Sequence, residues 1–114
     1  MIYKICTQNE WRHFGAAGEF AGSPDDLRDG FIHLSGPDQV ARTAAKFFTG
    51  RTDLILLAID PARLGNSLRW EPSASGTHYP HVYGPLPMAV VVASTPLTVG
   101  PDGRHILPPE LDRC

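Results

Sequence analysis

Three short segments hold most of the side chains able to do chemistry: Gly30-Phe31-Ile32-His33-Leu34-Ser35, Leu68-Arg69-Trp70-Glu71 and Tyr79-Pro80-His81-Val82-Tyr83-Gly84. The imidazole of His33 can hydrogen-bond a hydroxyl or phosphate, or pass a proton as a general acid or base. It stands between Ile32 and Leu34, and on an extended segment it faces away from both, toward a groove or solvent if they face the core. Ser35, two residues on, shares that face if the strand continues. Glu71 follows Trp70 where a polar loop begins. A carboxylate there can meet a ribose hydroxyl or a developing cation beside an aromatic stacking surface. His81 and Tyr83 close the loop's far end, and Gly84 allows close approach of the backbone. His33 and Glu71 are therefore the candidate catalytic groups. The candidate binding groups are His33, Ser35, Trp70, His81 and Tyr83, with the expectation that His33, Ser35, Glu71, His81 and Tyr83 line one concave surface. The same residues also have purely structural roles open to them: His33 satisfied by a backbone carbonyl, Trp70 filling the core, Glu71 solvated beside it, His81 capping a loop.

Other chemistries find little support. His78 and His81 near Glu71 raise the question of zinc, but Pro80 lies between the histidines and no cysteine pair is near, so no metal is expected. Phosphate-loop, dinucleotide-fold, serine-elbow and metalloprotease motifs are absent. Ten basic and twelve acidic residues give a net charge of −2 with no basic stripe. Bulk nucleic acid is thus not an expected partner; a small molecule or nucleotide is, with the oligomeric state open. No signal-like N-terminus and no run near 18 apolar residues occurs, which argues against a membrane. The two cysteines, Cys6 and Cys114, do not make a disulfide framework, and a cytoplasmic location follows.

These side chains must be held by short elements, because eleven glycines and eleven prolines break the chain often. Residues 2–6 alternate as a strand, and Gln8 to Phe14 follows as a short amphipathic helix stopped by Gly15 and Gly18. Ser23-Pro24-Asp25-Asp26 caps one helical turn ending at Gly30, and residues 31–35 read as a strand. Ser35-Gly36-Pro37-Asp38 offers a capping box to the main helix, Val40 to Phe48. Residues 54–59 are apolar throughout, as in a strand buried on both faces, and 88–95 read as a second buried strand. Residues 68–71 and 81–83 are strand candidates around the loop 72–80, and residues 97–99 and 104–107 make a hairpin.

Strands after residue 51 have too little chain between them for helical crossovers, which disfavours a doubly wound parallel sheet. The expected fold is α+β: two packed, bent, mainly antiparallel sheets with one main helix and one or two short ones. A single domain spans 1–114, with 107–114 a loosely held tail. The predicted core is Phe31, Leu34, Val40, Ala44, Phe47, Leu54, Leu56, Ile59, Val90 and Val92.

Read in order, Ile2-Tyr3-Lys4-Ile5, Trp11, D-G-F-I-H-L-S, Q-V-x-x-T-A-x-x-F-F, L-x-L-L-x-I-D, W-E and P-H-x-Y-G-P-L resemble the bacterial family called domain of unknown function 952, over about residues 2 to 107. That family looks like a small relative of the ADP-ribosyltransferase superfamily, whose members hold NAD in a cleft between two short sheets. The resemblance implies an ADP-ribosyltransferase-like fold with NAD as substrate. It implies that His33 and Ser35 match the superfamily's second motif and that Glu71 corresponds to its acidic residue. Lys4 stands where the first-strand histidine usually follows an aromatic residue. The implied activity is ADP-ribosyl or phosphoryl transfer, with His33 and Ser35 anchoring ribose or phosphate, Trp70 or Tyr83 stacking and Glu71 orienting the ribose. The competing expectation is a non-catalytic module that binds a small molecule or peptide.

Overall fold

The computed structural model describes residues 1–111. Strand β1 (Ile2–Thr7) runs directly into helix α1 (Gln8–Ala17). The junction is sharp because Thr7 Oγ1 accepts from the Glu10 amide while Glu10 returns a carboxylate oxygen to the Thr7 amide. Gly18 then ends α1 at φ 79°, a conformation that side chains resist. Ser23 and Asp26 cap α2 (Pro24–Asp29) in the same reciprocal way. Strand β2 (Glu19–Phe20) lies between the two helices, and β3 (Ile32–His33) follows α2.

The second half carries α3 (Val40–Phe47), β4 (Leu54–Ile59), β5 (Leu68–Pro72), β6 (His78–Val82), β7 (Leu86–Pro87), β8 (Val91–Val99) and β9 (His105–Ile106). Among the described residues the fold is α+β with three α-helices and antiparallel pairing in every sheet. Three sheets form among the described residues rather than the expected two: β1-β4-β8-β9, β3-β6-β5 and the small β2-β7 pair.

Strand β4 is central, paired with β1 and β8, so its two faces feed two cores. Ile55, Leu57 and Ile59 join Phe14, Phe20, Ile32, Leu34, Val82 and Leu86 on one side. Leu54 and Leu56 join Tyr3, Val40, Ala44 and Leu97 on the other. Of the predicted core, Leu34, Val40, Ala44, Leu54, Leu56, Ile59 and Val90 are buried.

Three predicted core residues are not. Phe47 is 65% exposed; α3 ends there, and Phe48, leaving the helix at φ −129°, packs inward instead. Val92 is 46% exposed because β8 is flanked over that stretch by β4 alone. The expected buried strand at 88–95 begins only at Val91, after a 3-10 turn, and is exposed from Val92 to Pro96, where it pairs with β4 alone before β9 joins it at Thr98. Phe31 is only half-buried, since strand alternation sets it with His33 and opposite Ile32 and Leu34.

Other boundaries also move. Helix α1, ten residues, is longer than α3, eight residues, which was expected to be the main helix. No capping box opens α3: its N-cap is Gln39, without a side-chain cap, and Gln39 instead accepts from the Gly36 amide and donates to the His78 carbonyl. Strand β3 stops at His33, and Ser35 forms an isolated bridge with Tyr3. Beyond residue 107, Leu111 is buried in the second core, while 112–114, including Cys114, lie outside the described residues. Among the described residues no helix is long and apolar enough to cross a membrane.

Candidate functional site

The β3-β6-β5 sheet positions the chemistry-bearing side chains. His33 lies opposite His81, and Arg69 lies opposite His81 from the other side. Strand alternation then gathers His33, His81, Arg69 and Glu71 on one face and turns Ile32, Val82 and Leu68 toward the core. Phe31 precedes β3 and Tyr83 follows β6, which extends the same face.

At its centre is a shared carboxylate oxygen. Glu71 Oε1 lies 2.8 Å from His81 Nδ1 and accepts from the Tyr83 hydroxyl at 2.7 Å. The Tyr83 and His81 hydrogen bonds, outweighing partial desolvation, hold the Glu71 carboxyl below its ordinary range. The Tyr83 hydroxyl is pushed above its own by the same bond. An ionised carboxylate only accepts, so His81 Nδ1 carries the proton, and in the neutral imidazole Nε2 is left as an acceptor. Neither His81 Nε2 nor Glu71 Oε2 has a hydrogen-bond partner among the described residues.

Aromatic contacts fix the rings. Phe31 stacks on His81 with centroids 4.2 Å apart and touches His33 at 4.7 Å; the two imidazoles meet edge to face at 5.4 Å. The Arg69 guanidinium lies 5.2 Å from the Tyr83 ring centre, the geometry of a cation–π contact.

A second carboxylate–imidazole pair stands beside the first. His33 Nδ1 is 2.7 Å from Asp26 Oδ1, and His33 Nε2 is 3.1 Å from Asp29 Oδ2. Asp26 is 2% exposed and also accepts from the His33 and Ser23 amides and from Lys4 Nζ. Burial alone would raise its pKa, but the His33 bond, the Lys4 charge and the Ser23 amide together hold it well below the usual carboxylate range. Lys4 spends its remaining reach on the His33 carbonyl, at 3.0 Å. Lys4 is therefore a buried strut beneath the face, not a group presented on it.

The structure brings His33, Glu71, His81 and Tyr83 together and sets Ser35 and Trp70 elsewhere. Ser35 is 4% exposed and bonds Thr43 Oγ1, because the chain leaves the strand after His33. Trp70 falls on the opposite face of β5 from Glu71, paired with Pro80, 49% exposed and against Gly36, where an added Cβ would meet its ring at 3.3 Å. Sequence reasoning missed Asp26, Asp29, Arg69 and the site role of Phe31. Period-two alternation signals Phe31 from His33 and Arg69 from Glu71, whereas nothing local ties Asp26, a helix-capping acid, to an imidazole seven residues on. No group of three or more His, Cys, Asp or Glu among the described residues is set to hold a metal ion.

Comparison with known proteins bears on the whole chain. No curated protein matches it. The crystal structure of protein CC0527 from Caulobacter crescentus superposes with a TM-score of 0.91 at 44% identity, covering 97% of each chain. A crystal structure of a double mutant of that protein gives 0.91 at 43% identity with the same coverage. Its solution NMR structure gives 0.82 at 46% identity over 90% of this chain and 89% of that one. A family model described as a protein of unknown function, DUF952, matches residues 5–94, most of the chain, and the protein belongs to that family.

Proposed function

We propose that the His33–His81–Glu71–Tyr83 face binds a nucleotide-like ligand of the NAD class and acts on its ribosyl linkage. The observation that carries this reading is the Glu71 carboxylate, whose Oε1 is held by both His81 and Tyr83 while Oε2 stays unpartnered among the described residues. A carboxylate so fixed accepts a ribose hydroxyl through Oε2. It also stabilises the positive charge that develops as the ribose–nicotinamide bond breaks. His81 Nε2 accepts a proton or a hydroxyl hydrogen bond, and Arg69 supplies a cation for a phosphate. Tyr83 serves to hold Glu71 rather than to stack on a base. Ser35 and Trp70 have no part, since they face elsewhere.

The test is incubation with NAD, with mass spectrometry of the products and titration calorimetry. Nicotinamide release that is abolished in Glu71→Gln is the expected result. Neither release nor binding at millimolar NAD overturns the reading.

A binding module without turnover is the second reading, favoured by the engagement of Lys4. Its ammonium, 6% exposed at the residue level, is consumed by Asp26 and a backbone carbonyl, so the first strand offers the ligand no side chain. NAD binding by calorimetry with no nicotinamide formed selects this reading over the first.

A further inference from the structure

Behind Phe31 lies a cavity of about 380 Å³, separate from the histidine face but sharing that ring as a wall. Its volume falls within the range of small-ligand sites. Ala21, Leu27, Phe31, Ile32 and Pro85 give it an apolar lining. Two carboxylates, Glu19 and Asp26, also line it, and no lysine or arginine does. Their situations differ. Asp26 is already saturated by Lys4, His33 and the Ser23 amide. Glu19, at the start of β2, is exposed, and its side chain has no hydrogen-bond or ion-pair partner among the described residues.

A pocket open to solvent, mostly apolar in its lining and with one uncompensated negative charge at its wall, selects against anions and favours a cation with an apolar body. Phe31 adds to this preference, since an aromatic ring attracts positive charge at its face. We propose that this cavity binds a small organic amine, an aralkyl ammonium with its ring against Leu27 and Phe31 and its charge toward Glu19. The site is independent of any nucleotide on the histidine face and stands whether or not NAD is bound there. The two share Phe31 and the buried Asp26 that holds His33, so an occupant of the cavity perturbs the ring stacked on His81.

Benzylamine, protonated at neutral pH, is the probe, with benzyl alcohol and benzoate as neutral and anionic matches of the same shape. Titration followed by amide NMR is expected to move Gly30, Phe31, Ile32 and Gly84 with benzylamine and not with benzoate. Glu19→Gln, at an exposed position, leaves the spectrum folded and weakens benzylamine by about fivefold, the value of one partly solvated ion pair. It leaves benzyl alcohol unchanged. Benzylamine without effect at millimolar concentration, shifts mapping away from these residues, equal binding of benzoate, or undiminished binding to Glu19→Gln each overturns the proposal.

Discussion

Lys4 Nζ lies 2.9 Å from Asp26 Oδ2, with the two side chains 7% and 2% exposed, and this ion pair ties the first strand to the first turn of α2 beneath the histidine face. Asp26 in turn holds His33, so the position of an exposed imidazole depends on a buried lysine it never touches through its ring. Lys4 also reaches the His33 carbonyl and joins the two ends of the network.

Removing one partner strands the other. Lys4→Met is expected to cost about 3–5 kcal/mol, because a buried carboxylate loses its compensating charge. Adding Asp26→Asn recovers part of that loss by removing the charge itself. Urea denaturation of the wild type, both single variants and the double variant measures the coupling; additive losses would show that the pair is not coupled.

Acid should unfold the protein through the same group. The Asp26 carboxyl is ordinarily near 3.8 and is held lower in the fold, so the unfolded chain takes up its proton first. The stability it contributes is intact above about pH 5 and is lost as pH falls through 3.8 toward the lower folded value. Urea midpoints between neutral and strongly acid pH should fall less steeply in Asp26→Asn, whose starting stability is lower. An unchanged slope would assign acid sensitivity to other carboxylates.

Tyr83 reports on the site directly. Its hydroxyl donates to Glu71, which raises its ionisation above the usual 10, with desolvation and the Glu71 charge adding to the effect. In a spectrophotometric titration, the component lost in Tyr83→Phe should be the one that moves down toward 10 in Glu71→Gln. If Glu71→Gln leaves that component in place, the 2.7 Å bond does not govern Tyr83 in solution.

The Cys6 thiol, 1% exposed, is pushed up to about 12 by burial first, with Glu10 adding and Lys4 opposing. In a Cys114→Ser background it should resist a thiol reagent at pH 8 and react only as the protein opens, at a rate that rises with urea. Rapid labelling without urea would contradict its burial.

Central and edge positions should differ sharply. Leu57, fully buried at the middle of β4, is expected to cost about 2–5 kcal/mol as Leu57→Ala. Phe47→Ala should cost no more than about 0.5 kcal/mol, because the ring is 65% exposed. Equal losses would mean that Phe47 packs in solution.

Much of the frame was legible because local physics decides it. A run of apolar residues between turn signals, 54–59, can only be satisfied by burial on both faces, and β4 is the strand paired on both edges. Ser23, read as a helix cap, accepts from the Asp26 amide three residues on, a contact any isolated chain can make. Alternation also sets Phe31 beside His33, although Phe31 was expected in the core. Tertiary structure decided what depends on distant partners. Whether Ser35 continues a strand was set by its bridge to Tyr3, and whether residues 92–96 are buried by the lack of a second neighbour for β8 there. The meeting of His33 with His81 and of Lys4 with Asp26 joins residues 48 and 22 apart, and no periodicity encodes such pairings. They exist because β6 inserts between β3 and β5 and because α2 lands on the first strand, and both are choices of packing rather than of local propensity.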